Sequence, residues 1–226
     1  ESIRSILKDD TAWMMAQTVP SAGGAVEQAL ETGHIFLDKS GAVDVDGTKK
    51  SLSEIVKPLG DEVDRFLQWI AGNRAEGLKT EGRENLLSDD DIKILKSLAD
   101  NDNGKLWGER RKTYEKAREE LESLHNSVVQ IGVDTGLVSR KDAALWKDQG
   151  FYIPFYRLAE KETDRKGPTS IGGLVKQEAY KRLKGADIPL NDLQVNLLMN
   201  WSHLLGASLK NQAAVKSLRT AANMGL

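Results

Sequence analysis

The chain has no cysteine among its 226 residues. That removes disulfide bridges, thiolate metal sites and a cysteine nucleophile together. It has only three histidines, so any imidazole-based site must draw on His34, His125 or His203. No stretch approaches the roughly 18 consecutive apolar residues that a membrane-spanning helix requires, and no cationic-then-apolar secretory leader opens the sequence. β-structure is scarce as well. The one hairpin signal is HIFLDKSGAVDV, where two short β-favouring runs flank a polar turn ending in Gly41. A two-stranded hairpin is marginal alone and must lean on helices.

What the sequence does have is charge and helical period. Hydrophobic residues make up 39% and charged residues 29%, proportions that fit long helices with solvated faces better than a sandwich or barrel. The net charge of −2 is unevenly spread: residues 161–226 hold ten Lys/Arg against five Asp/Glu, giving +5, and the remainder carries −7. Such asymmetry marks either an anionic partner for the basic part or a basic face packed near the acidic remainder. The chain begins at Glu1 and ends within a helical pattern, as expected of a piece of something longer.

The apolar spacing predicts the elements. Residues 3–17 read as a helix, VPSAGG breaks it, and AVEQALETG is a second short helix ending at Gly33. SLSE is a capping box in which Ser51 and Glu54 satisfy early helix amides. Leu52, Ile55, Val56, Leu59, Val63, Phe66, Leu67 and Ile70 follow as one apolar stripe, with Pro58 and Gly60 marking a kink or restart. A second box, Ser88 to Asp91, opens SDDDIKILKSLA, its Asp triplet suited to the positive end of a helix dipole. Tyr114, Ala117, Leu121, Leu124, Val128 and Ile131 form a heptad seam within a helix over 107–132, which GVDTG ends. That register predicts Leu121, Leu124 and Val128 buried, with Lys116, Glu119 and Glu122 exposed. Ser139 and Asp142 make a third box, starting a short helix through Trp146. A last helix of about 30 residues carries Leu193, Leu197, Leu198, Trp201, Leu204, Leu205, Leu209, Ala213, Leu218 and Ala221 along one side.

The fold expectation is therefore mainly α: an elongated bundle of long amphipathic helices with one small β-hairpin near residues 34–46. Its parts are 1–50 (short helices plus hairpin), 51–149 (bundle segment with the heptad helix) and 150–226 (aromatic segment, basic loop and long C-terminal helix), or one domain throughout.

Candidate chemistry is thin. GPTSIGGL has the glycine spacing of a phosphate loop, but Gly173 stands where the lysine belongs and Leu174 where the hydroxyl belongs. Glu31 with His34, and Glu122 with His125, have the Glu-x-x-His spacing of di-metal carboxylate bundles. The register turns Glu122 outward, however, and His34 follows the helix-ending Gly33. His203 has no identifiable nucleophile or carboxylate partner. No catalytic, cofactor-binding or metal-ligating set emerges, and no cofactor is expected. KLWGERRK (105–112) and AYKRLKG (179–185) interleave bases with an aromatic, the pattern of a nucleic-acid patch. The contact residues would be Lys176, Lys181, Arg182 and Lys184 beside Arg165 and Lys166. GFYIPFYR (150–157) is an apolar island that reads as a packing clip. Pro154 removes a ladder donor and holds Ile153 extended, Tyr152, Phe155 and Tyr156 cover apolar area, and Arg157 is free to meet carboxylates.

ALWKDQGFYIPFYRLAE, KRLKGADIPLNDLQVNLLMNWSHLLGASLKNQAA, DEVDRFLQWIAGNRAEGL and GRENLLSDDDI together resemble a helical region of the very large polyvalent proteins of tailed phages and prophages, over residues 50 to 226. The resemblance implies a module of a giant chain, acting in the bacterial cytoplasm or packaged in the virion and delivered with the DNA. It transfers no catalytic residue. Three readings follow: a non-enzymatic scaffold or interaction module whose partners are other modules of the parent chain or another copy; a nucleic-acid-contacting module using the basic C-terminal part; and part of an enzyme domain whose site needs missing neighbours.

Overall fold

The computed structural model describes residues 22–83, 87–100, 106, 108–148 and 193–223. Within them the protein is mainly helical with one antiparallel hairpin. The elements are α1 (Ala22–Glu31), β1 (His34–Leu37), β2 (Val43–Asp46), α2 (Leu52–Val56), a 3-10 turn (Lys57–Glu62), α3 (Val63–Thr80), α4 (Asp89–Ser97), α5 (Arg110–Asp134), α6 (Arg140–Asp148) and α7 (Leu193–Asn223). α1 starts three residues earlier than its apolar pattern suggests, so Gly23 and Gly24 lie in its first turn. The 150–157 clip lies outside the described residues, as do all six basic residues singled out between Arg165 and Lys184.

Local signals formed as the sequence requires. Ser51 with Glu54 and Ser88 with Asp91 make complete capping boxes. Ser139 accepts from the Asp142 amide at 3.0 Å and donates its hydroxyl to that carboxylate. In the hairpin, Ile35 pairs with Val45 and Leu37 with Val43 on one face, and Phe36 with Asp44 on the other. Asp38 Oδ1 accepts from the Ser40 and Ala42 amides and so fixes the turn between the strands.

α5 is the axis of the core. Tyr114, Ala117, Leu121, Leu124, Val128 and Ile131 are all buried, while Lys116 and Glu119 are exposed. Glu122 departs from expectation: it is half-buried, because it borders the seam next to Leu121. β1, α2, the 3-10 turn, α6 and α7 all pack on α5. One hydrophobic cluster joins Ala25 and Ile35, Ile55 to Ile70, the α5 seam, and Leu197, Trp201, Leu204 and Leu205.

The stripe from Leu52 to Ile70 is not one helix. Pro58 at the start of the 3-10 turn and Gly60, at φ 58 and ψ −119, break it into α2 and α3. The left-handed φ at Gly60 is a conformation that a Cβ disfavours. Ile55, Leu59, Phe66, Leu67 and Ile70 nevertheless all reach the core.

α7 corrects a second expectation. Its buried residues end at Leu209, and Leu218, placed on the apolar stripe by its spacing, is 70% exposed. Beyond Leu209 its described residues are half-buried or exposed.

α3 and α4 lie against each other through Gly72. A Cβ there would stand 2.5 Å from the Leu95 Cβ, a clash with an atom close to the helix backbone that no rotamer relieves. Gly72→Ala should therefore force the helices apart and cost about 1–3 kcal/mol, the usual penalty of overpacking, even though alanine is the better helix former. Urea denaturation checks it, and a variant as stable as the parent would show that α4 can shift freely.

Candidate functional site

The most elaborate polar arrangement among the described residues lies where the 3-10 turn meets the start of α5. Glu62 ends the turn and Arg110 begins α5. Arg110 Nε donates to Glu62 Oε2 and its Nη2 to Oε1, both at 2.7 Å. Tyr114, one turn along α5, donates its hydroxyl to Oε2 at 2.8 Å. The Arg110 side chain is 0% exposed and that of Glu62 11%. A fork of two parallel N–H donors on one carboxylate is the strong, directional form of ion pair, and the planar guanidinium gives it a geometry that a lysine cannot reproduce.

An aromatic wall closes the pair off. Phe66 meets Tyr114 edge-on at 5.3 Å, Trp69 meets Tyr114 at 5.7 Å, and Phe66 stacks on Trp69 at 6.2 Å. The guanidinium hydrogen bond, joined by the tyrosine hydroxyl, holds the Glu62 carboxyl below its usual value against the opposing effect of burial. Burial first, and then the bond to Glu62, push the Tyr114 hydroxyl well above its ordinary value. Both groups keep fixed charge states across the physiological range, so the arrangement is built to hold and is not poised to exchange protons.

Beside it runs an open groove of about 380 Å³ between α3, α4 and the start of α5, with Trp69 and Ile92 on its floor. Its charged rim is engaged: Lys96 bridges to Glu76, and Arg111 to Asp100. Within KLWGERRK these contacts engage both arginines, while Lys112 is exposed and Lys105 and Trp107 lie outside the described residues. Of its two arginines, Arg110 is buried on Glu62 and Arg111 pairs with Asp100.

The Glu-x-x-His pairs are placed as follows. Glu31 is the last residue of α1 and His34 the first of β1, opposite Asp46. Partial burial, and then Lys49, lower the His34 proton affinity, with Asp46 opposing them. His125 faces α7, not Glu122: its Nδ1 accepts from Trp201 Nε1 at 3.0 Å. His203 is half-buried on α7, its proton affinity lowered by burial. Among the described residues no group of three or more His, Cys, Asp or Glu stands where it could hold a metal ion. Sequence reasoning missed the Glu62 arrangement because its partners are 48 and 52 residues apart. The single local hint was Arg110, standing one turn before Tyr114 on the face that leads into the seam.

No family model, curated protein or solved structure matches the chain.

Removing the Glu62 charge takes away the carboxylate that holds the buried Arg110 guanidinium by two hydrogen bonds. Glu62→Gln should cost about 3–5 kcal/mol, the usual penalty for breaking a buried pair from one side. The pH dependence has a definite sign. Because the folded carboxyl is depressed below 4.5, the contribution is complete above that pH and is lost as pH falls through the depressed value. Denaturation at pH 7 and pH 3 checks both statements: the gap between parent and Glu62→Gln should narrow in acid.

Proposed function

We propose that this chain is an elongated, non-catalytic helical interaction module of a large phage or prophage polyvalent protein, working in the host cytoplasm or within the virion. The observation that supports this best is the second half of α7. The helix has 31 residues, which at the α-helical rise is about 46 Å, and its fully buried residues end at Leu209. From Lys210 onward it contains no buried residue, yet carries Ala213, Ala214, Val215, Leu218 and Ala221. Such a helix presents a ready ridge for a partner helix from another module of the parent chain or from a second copy.

The charged groups support the same reading. Glu62, Arg110, Glu76, Lys96, Asp100 and Arg111 are committed to pairs that tie the helices to one another. Among the described residues no helix is long and apolar enough to cross a membrane.

The test is the molar mass by light scattering over a concentration series, with and without Leu218→Asp. The parent should gain mass with concentration and the variant should stay monomeric, at unchanged helicity. A parent that stays monomeric throughout while shifting DNA in a salt-dependent gel assay would replace this reading with the nucleic-acid one.

A further inference from the structure

We infer that a second copy of this chain meets the α7 tail with the outer face of its hairpin. The inference rests on the reading of that tail as an interface, and it narrows the second-copy case from a partner helix to this sheet face. Strand alternation builds the face. Ile35 with Val45 and Leu37 with Val43 lie on the core side, so Phe36 and Asp44, paired across the strands, turn outward with His34 and Asp46. Phe36 is 41% exposed, and the exposed Asp38 follows it at the turn. A surface ring beside carboxylates attracts a guanidinium in two ways: the π face draws the cation, and the carboxylate accepts its N–H donors. Lys49 offsets part of the charge at Asp46, but Asp44 forms no ion pair among the described residues.

The α7 tail supplies the complement. From Lys210 to Asn223 it carries Lys210, Lys216 and Arg219 and no Asp or Glu. Lys210 and Arg219 are exposed and form no ion pair among the described residues. Arg219 stands next to Leu218, the most exposed large hydrophobic residue among those described. A tail laid on a second tail opposes like charges, whereas a tail laid on the hairpin face opposes unlike ones. Ile94, the other strongly exposed aliphatic residue, offers a poorer seat because Lys93 lies beside it. The two patches are also neighbours within one chain, since Lys216 Nζ donates to the Ser40 carbonyl at 2.9 Å. Adjacent patches of opposite sign suit a two-fold axis, which lays each tail across the hairpin of the other copy and makes the contact twice.

The experiment is sedimentation equilibrium of the full chain over a concentration series at low and high salt, with circular dichroism to confirm that each variant is folded. The parent should dimerise, and less tightly at high salt. Asp44→Lys and Arg219→Glu should each raise the dissociation constant about tenfold or more, since each sets like charges against each other. The chain carrying both substitutions should return close to the parent's value, because every contact then has its signs exchanged. An Asp44→Lys chain that dimerises as the parent does, while Leu218→Asp stays monomeric, overturns the hairpin as the receiving face and leaves the tail interface standing. A double variant no tighter than the single ones overturns it as well, as does a parent that is monomeric at every concentration. If Asp44→Lys does not fold, Phe36→Ser, at an exposed position, takes its place: dimerisation equal to the parent's overturns the inference.

Discussion

α5 buries a residue at nearly every turn, from Arg110 at its first position to Gly132 in its last turn, and that demand for cover on more than one side organises everything else. A lone helix of 25 residues with such a seam cannot exist in water, since each large aliphatic side chain buried contributes about 1.5–3 kcal/mol. The cover comes in unlike pieces: β1 of the hairpin, the short α2 and its 3-10 turn, α6 folded back, and the first half of α7. The hairpin, too small to stand alone, persists because Ile35 lies in this core. α3 joins from the other side through Phe66 and Trp69, and carries α4 with it.

Hydrophobic cover alone leaves orientation loose, and polar ties set it. The Glu62 fork fixes the start of α5 against the 3-10 turn. At the other end, Thr135 Oγ1 donates to the Ile131 and Gly132 carbonyls, and Asn211 of α7 donates to the Thr135 carbonyl at 2.7 Å. The hydroxyl adds to the backbone bonds that the Ile131 and Gly132 carbonyls already accept from the Thr135 and Val138 amides, at the terminus where intrahelical partners run out. Between the two ends, Trp201 and His125 fix the rotation of α7. A buried ion pair is weak evidence of net stability, because desolvation offsets much of its attraction. What it contributes here is one register among several that a greasy seam would tolerate.

The legible part of this fold is the part written at short range. Capping boxes, the α5 seam, the Asp38 turn and the end of α5 at Gly136 all rest on residues a few positions apart, so their geometry follows from the helix or strand period. The missed features are long-range. Nothing near Gly72 announces Leu95, and nothing near Arg110 announces Glu62. The same gap explains Leu218: spacing tells which face of a helix is apolar but not how far along the helix its neighbours extend. His125 shows a subtler limit. Its four-residue motif invited a comparison with metal sites, whereas its partner is an indole 76 residues away. For the clip and the basic C-terminal loop, the described residues carry no test.

α7 is bound in two different ways along its length, and this has a mechanical consequence. Up to Leu209 it is held by packing that loses free energy steeply with any gap, since dispersion contacts fall off within about an ångström. Past Leu209 no residue of α7 is fully buried, and the ties among the described residues include single hydrogen bonds to backbone carbonyls, from Asn211 to Thr135 and from Lys216 to Ser40 at 2.9 Å. Each is worth about 0.5–1.5 kcal/mol net and exchanges readily with water. The tail therefore opens at far lower cost than the root, without disturbing the core, which is how locally weak segments of stable proteins behave. Among the described residues, those two bonds are what a helix docking on the tail, as proposed, would have to displace, and the α5 core would keep its shape.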